Sequence, residues 1–267
     1  MAIGGLGYLN QINRTNSSAN SSIQKIVSGS QRPSAKNGAS SYAIASRMNS
    51  NVGTAAQSRS NAQTANAMLN VAAGGVSSTV DALTSIKSQI LQAANGTNQG
   101  SDISAIRSSI QQSVSTINDN ANVEYNGMKL LDGSSSISVA GDTGYKTIKL
   151  GNLSSEGLGL TDNDGNLTLD LSSEEGINNA LNTVDSALDK TLGMSTDIGA
   201  AQQGLVASEG NYTTMGESLT ASLSTEDDTD IAAEMTKLRS AEAQNQLALH
   251  AQKMFMHNSA QVLSLLP

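Results

Sequence analysis

The sequence predicts a mainly α-helical fold: a long antiparallel coiled-coil bundle carrying a small β-hairpin or sheet. Three observations predict it. A heptad phase runs without a slip from Met48 to Ile90. The chain is 37% hydrophobic but only 2% aromatic, with one Phe and no Trp, so its core must come from Ala, Val, Leu and Ile rather than large rings. Between residues 134 and 172 strand-like alternation replaces helical spacing.

In the long seam, steps of four and three give Met48, Val52, Ala55, Arg59, Ala62, Asn66, Leu69, Ala73, Val76, Val80, Leu83, Lys87 and Ile90. Ten of these thirteen are apolar, which is the pattern that winds one helix along another. Gly53, Gly74 and Gly75 weaken this helix without ending it, and no Pro interrupts it. At 1.5 Å per residue, residues 39–94 span about 80 Å, a length that demands partner helices.

The first partner precedes it. Residues 1–8 (MAIGGLGY) are Gly-rich and expected to fray in isolation. Leu9, Ile12, Ala19, Ile23 and Ile26 then recur at helical spacing on a Ser/Asn-rich background, a stripe too thin for an independent helix. Ser28-Gly29-Ser30 with Arg32-Pro33 stops it. After the long seam, Asn95-Gly96 marks a turn and Asp102 a cap for a helix carrying Ile103, Ile106, Ile110, Val114 and Ile117, closed by Asn126-Gly127.

In the alternating stretch, Ile137/Val139, Ile148/Leu150 and Leu167/Leu169/Leu171 read as two or three strands, with Asn163-Asp164-Gly165-Asn166 as a hairpin turn. Helix resumes with Ser172 or Ser173 as cap and a seam of Ile177, Leu181, Val184, Leu188, Leu192, Ile198, Leu205, Tyr212, Met215 and Leu219. The acidic run 224–230 (STEDDTD) breaks it. A last helix carries Ile231, Met235, Leu238, Leu249, Met256, Leu263 and Leu266, with polar gaps at Glu242, Asn245, Gln252 and Ser259.

Several functions find no support. A net charge of −8 opposes nucleic-acid and anionic-membrane partners. Cys is absent, so disulfides, thiolate metal sites and Cys nucleophiles are excluded. Residues 1–9 hold no positive side chain and no apolar run of secretory length, and nothing approaches a transmembrane span. Neither G-x-S-x-G nor H-E-x-x-H occurs, so no enzyme is expected. Asp227, Asp228 and Asp230 suit a helix start better than a cation site, and Asp162-Asn163-Asp164-Gly165 suits a turn better than a calcium loop. His250 and His257 have no third ligand nearby in sequence, so no metal and no cofactor is expected.

In order along the chain, 26–45 (IVSGSQRPSAKNGASSYAIA), 90–98 (ILQAANGTN), 117–131 (INDNANVEYNGMKLL), 137–160, 226–234 (EDDTDIAAE) and 262–266 (VLSLL) resemble the signatures of the bacterial flagellins. The resemblance spans nearly the whole chain. It implies a structural subunit of the extracellular flagellar filament, serving motility and exported unfolded through the flagellar type III channel, which would account for the missing signal. It also implies a homo-polymer as principal partner, with the export apparatus, an export chaperone, the filament cap and hook-associated proteins as others.

On this resemblance residues 1–38 form an N-terminal filament-core helix and 39–133 the N-terminal half of a helical rod. A small β tip is expected at 134–172, then the C-terminal half of the rod at 173–223 and a C-terminal core helix at 224–267. The terminal helices would be disordered in the monomer and pair in the filament core through Leu9, Ile12, Ile23, Ile26, Ile231, Met235, Leu238, Leu249, Met256, Val262, Leu263 and Leu266. Asn95-Gly96-Thr97 is then a structural turn rather than a glycosylation site. Ser134, Ser135 and Ser136, with Ser154 and Ser155, are candidates for O-linked sugar.

The chain ends in Pro267, where the family commonly has Arg. The positions matching the family's receptor-facing Arg, Leu and Glu are Ser85, Gln89 and Ser109, which implies weak recognition by the family's Toll-like receptor. The competing readings are a hook–filament junction protein, against which the NGT hallmark and short hairpin argue, and a non-flagellar coiled-coil interaction protein, which predicts folded ends.

Overall fold

A computed structural model describes residues 2–142 and 144–264, with side chains from Gly7 to Gln261. Its helices are α1 (Ala2–Ser28), α2 (Ala39–Ala93), α3 (Gly100–Ala121), the single turn α4 (Ser155–Leu158), α5 (Glu174–Asp227) and α6 (Ile231–Ser264). Four short strands, β1 (Glu124–Tyr125), β2 (Met128–Lys129), β3 (Ser136–Gly141) and β4 (Gly144–Lys149), form two antiparallel hairpins. The chain divides into two compact units, residues 54–215 and the two ends, 1–53 with 216–267.

The central unit, 54–215, holds the apolar core. Along α2 the buried positions are Ala55, Ala62, Leu69, Val76, Leu83 and Ile90, with Ser58, Ala65, Ala72, Thr79, Ile86 and Ala93 between them. The first of these two rows is the one the heptad phase selects. The second lies one residue earlier than expected, so Arg59 and Lys87 leave the seam; Lys87 pairs with Asp185 of α5. A charged head group keeps its hydration this way while its stem still covers apolar surface. On α5 the same displacement buries Thr191 completely and leaves the expected seam residue Leu192 half exposed. The fully buried Ile110 and Ile117 of α3 face the same core.

Gly75 on α2 has a packing reason. A Cβ there would stand 2.7 Å from the Leu131 side chain and 3.3 Å from the Asn120 carbonyl oxygen. The expected cap of α3 acts from inside the helix: α3 starts at Gly100, and the Gln99 N–H donates to Asp102 Oδ2 at 2.9 Å.

Asn126 and Gly127, both at positive φ, make the tight β1–β2 turn, where the sequence reading had only a helix terminator. In β3–β4, Ile137 pairs with Ile148, and these two with Val139 and Leu150 are buried, as the alternation predicts. The third expected strand does not form. Leu169 and Leu171 are buried, but the segment makes only one isolated bridge, Thr161 to Leu167, around the 162–166 turn. That turn is held by Asp162, whose carboxylate accepts the N–H groups of Asp164 and Asn166 at 3.0 and 2.7 Å. These bonds, the Asn166 N–H above all, hold the Asp162 carboxyl below its ordinary range. Ser173 is the cap of α5, accepting the Gly176 N–H at 3.0 Å.

In the terminal unit, α1 and α6 run antiparallel. α1 begins at Ala2, and the Tyr8 ring lies 6.0 Å from Phe255 of α6. α5 continues through the acidic run to Asp227, so the break between helices is only residues 228–230.

Candidate assembly surface of the terminal helices

The ends of α1 and α6 are tied together by backbone. Gly29, at φ +69°, takes the chain out of α1, and its carbonyl accepts the Thr229 N–H at 3.0 Å. The Gln31 N–H donates to the Asp227 carbonyl, and Arg32 reaches the Glu226 carbonyl oxygen and carboxylate at 2.6 and 3.4 Å. Asp230 then caps α6 by accepting the Ala233 N–H at 3.0 Å. The acids at 227–230 thus serve a helix boundary.

Beyond this clasp the facing side chains are small or polar. Thr15 and Ser22 on α1, with Ala241 and Ala248 on α6, are buried at the contact. Among them sits Glu234, only 5% exposed. Ser22 Oγ donates to its Oε2 at 2.9 Å, and Lys237 and Lys25 Nζ approach Oε1 at 2.7 and 3.4 Å. The Lys237 bond, then the Ser22 bond and the Lys25 charge, hold this carboxyl below the ordinary glutamate range against the opposing effect of burial. A carboxylate with donors on both helices stays ionised where an unpaired one would not.

The large apolar side chains lie on the neighbouring row. Leu9 and Ile23 of α1, and Ile231, Met235, Leu249 and Met256 of α6, are each between 43% and 64% exposed. Ile12, Ile26 and Leu238 are half buried at the α1–α6 contact. The side chains of Val262 and Leu263, and the whole of Leu266, lie outside the described residues.

The three receptor-surface positions come together elsewhere. In the central unit, Gln89 Nε2 donates to Ser85 Oγ at 3.3 Å and to Ser109 Oγ at 3.0 Å, so the set forms one polar bridge from α2 to α3. Of the sugar candidates, Ser134 and Ser136 are exposed and Ser135 half buried. Ser155 is excluded as an exposed acceptor: it is buried, with its hydroxyl 2.8 Å from that of Thr161, and Ser154 caps α4. Among the described residues no group of three or more acidic, His or Cys side chains is placed to hold a metal ion, and no helix is long and apolar enough to cross a membrane.

Residues 6–136, α1 through the start of β3, match the family described as the bacterial flagellin N-terminal helical region. The chain is 25% identical to the flagellin of Bacillus subtilis strain 168 across 88% of both chains. The chain belongs to the flagellin family. It is also 29% identical to the phase 2 flagellin of Salmonella abortus-equi over 82% of its own length, yet spans only 42% of that longer protein. Its fold resembles that of a putative flagellar hook-associated protein from Vibrio parahaemolyticus, with a TM-score of 0.57 at 17% identity over 72% of this chain and all of that one. Within this flagellin the Glu234 cluster is the feature the sequence reading missed. Its one signal was the closing Glu of EDDTDIAAE, an acid set between the seam residues Ile231 and Met235.

Proposed function

We propose that this flagellin is a structural subunit that self-assembles into the bacterial flagellar filament for motility. One observation carries the reading: α1 and α6 bury small and polar residues between themselves and leave rows of Leu, Ile and Met exposed. Covering a large aliphatic side chain completely is worth about 1.5–3 kcal/mol, so covering several half-exposed ones at each subunit contact is a substantial drive to polymerise. The residues offered for that contact are Leu9, Ile12, Ile23, Ile26, Ile231, Met235, Leu238, Leu249 and Met256, continuing into Val262, Leu263 and Leu266.

The test is limited proteolysis of the full chain before and after induced polymerisation, with negative-stain microscopy. Loss of roughly the first and last 40 residues from the monomer, and their protection in visible filaments, is the expected result. Resistant ends and no filaments would overturn the assignment in favour of a folded coiled-coil adaptor. The same reading places the subunit outside the cell after unfolded export by the flagellar export apparatus, with an export chaperone before assembly and the filament cap and hook-associated proteins at the filament's ends. The family is structural, and no enzymatic role is proposed. Ser134, Ser135 and Ser136 are offered as O-glycosylation acceptors, checked by intact-mass measurement of native filaments.

A second reading concerns receptors. At Ser85, Gln89 and Ser109 the surface offers short polar groups bonded to one another, where interface anchors are usually Arg and large aromatics. This flagellin is therefore a weak agonist of the Toll-like receptor that senses the family. Full potency of the purified monomer in a reporter-cell assay would refute it.

A further inference from the structure

We infer that Glu234 and Lys25 fix the axial register of α1 against α6, and so decide which apolar side chains the pair leaves exposed. The inference goes beyond the filament assignment and concerns the pairing itself. A seam of small residues aligns poorly on its own. Thr15 and Ser22 are seven residues apart and nearly interchangeable, as are Ala241 and Ala248. Sliding one helix by a heptad, about 10 Å, would return similar surfaces to contact.

The charges break that degeneracy. In the observed register Glu234 meets Ser22 and Lys25 of α1. One heptad towards the start of α1, the same two positions are Thr15 and Ser18: a hydroxyl remains, the lysine is gone, and the nearest cation is Arg14, at the position that Ser21 now holds. One heptad the other way they are Gly29 and Arg32, past the end of the helix at Ser28. Either slip takes the Lys25 contact away from a buried carboxylate, and a buried charge tolerates the loss of a partner poorly. A second contact points the same way. Asn245 hydrogen-bonds Asn16, and a heptad slip would set it against Leu9 or Ile23. A single polar position that selects alignment within an otherwise permissive seam is a known way of specifying coiled coils.

The chain has no cysteine, so disulfides can report the register in the full-length protein. Cysteine pairs N16C/N245C and N16C/L238C are read by peptide mass spectrometry, the first reporting the observed register and the second the slip that sets Glu234 opposite Ser18. They are placed in the parent, in Lys25→Ser, and in Lys25→Ser with Ser18→Lys. Pelleting reads filament formation separately, and both pellet and supernatant are assayed, so a failure to assemble is distinct from a change of register.

The parent is expected to form the 16–245 disulfide and the Lys25→Ser variant a mixture. Moving the lysine to position 18 is expected to favour 16–238, changing the ratio of the two by at least about tenfold. A merely structural Lys25 would lower both cross-links together and create no new one. Retention of 16–245 alone in both variants would overturn the inference.

Discussion

The two units use the same heptad geometry to opposite ends. In the central unit the seam encloses large side chains: Leu69, Leu83, Ile86, Ile90, Ile110 and Ile117 are all fully buried. In the terminal unit the seam encloses Thr15, Ser22, Glu234, Ala241 and Ala248, while comparable Leu, Ile and Met side chains remain outside. The central seam is therefore satisfied within one chain. The terminal seam aligns two helices yet leaves Leu9, Ile23, Leu249 and Met256 about half in water, where covering them would still be favourable. Small seam residues also let helices approach closely.

The sharpest way to break this contrast is a charge on the exposed terminal row. Leu249→Lys removes a half-exposed side chain, so unfolding of the central unit should change by less than about 0.5 kcal/mol. Assembly should be lost, because the lysine would be buried without a partner at every repeat of the contact. Sedimentation after induced polymerisation checks it, and normal pelleting would mean that this row does not meet a neighbour.

The converse change belongs in the central unit. Ile86 is fully buried, and Ile86→Ala should cost about 2–5 kcal/mol, the range for removing a large aliphatic side chain from a packed core. Urea unfolding followed by circular dichroism would show it as a lower midpoint. A loss below 1 kcal/mol would mean that the central core is as open to rearrangement as the terminal seam.

These two residues also show how far the sequence could be read. In α1, α2, α5 and α6 a step of either three or four preserves a heptad, and spacing alone selects one row but not its companion. The row containing Leu69 and Leu83 was legible. Its companion contains Ile86 rather than Lys87, and on α6 Ala248 rather than Leu249. In the central unit the displaced residues include Arg59 and Lys87, whose charges were a usable clue. In the terminal unit the displaced residues are the more apolar ones, and hydrophobicity pointed away from the chain's own seam towards the surface proposed for assembly. Glu234 was illegible as a cluster because its Ser22 donor lies 212 residues away. The third strand failed for a related reason: burial of Leu169 and Leu171 is local information, whereas a ladder needs a partner edge.

Acid should separate the units next. The folded Glu234 carboxyl titrates below its ordinary range, so its contribution is present above about pH 4.3, where an unfolded glutamate is ionised, and is lost as the pH falls through the lower folded value. Comparing the parent with Glu234→Gln from pH 7 to 3 isolates it. The advantage of the parent in α1–α6 pairing should be constant at neutral pH and shrink only below about pH 4.3. An advantage unchanged down to pH 3 would mean that the carboxylate and its lysines are not paired.

The smallest expected effect returns to the central unit, at the start of α5. Ser173 accepts the Gly176 N–H and is itself exposed, so Ser173→Ala removes one capping bond without opening a cavity. The expected cost is about 1 kcal/mol, from the N–H of buried Gly176 left without its partner and an entry to the helix no longer fixed. Because Glu174 and Glu175 stay in the first turn, their interaction with the helix dipole persists and bounds the loss. Chemical unfolding should place this variant between the parent and Ile86→Ala, with pelleting unchanged. Impaired pelleting in Ser173→Ala would mean that the central unit's stability limits assembly, and the division of labour between the two seams would then fail.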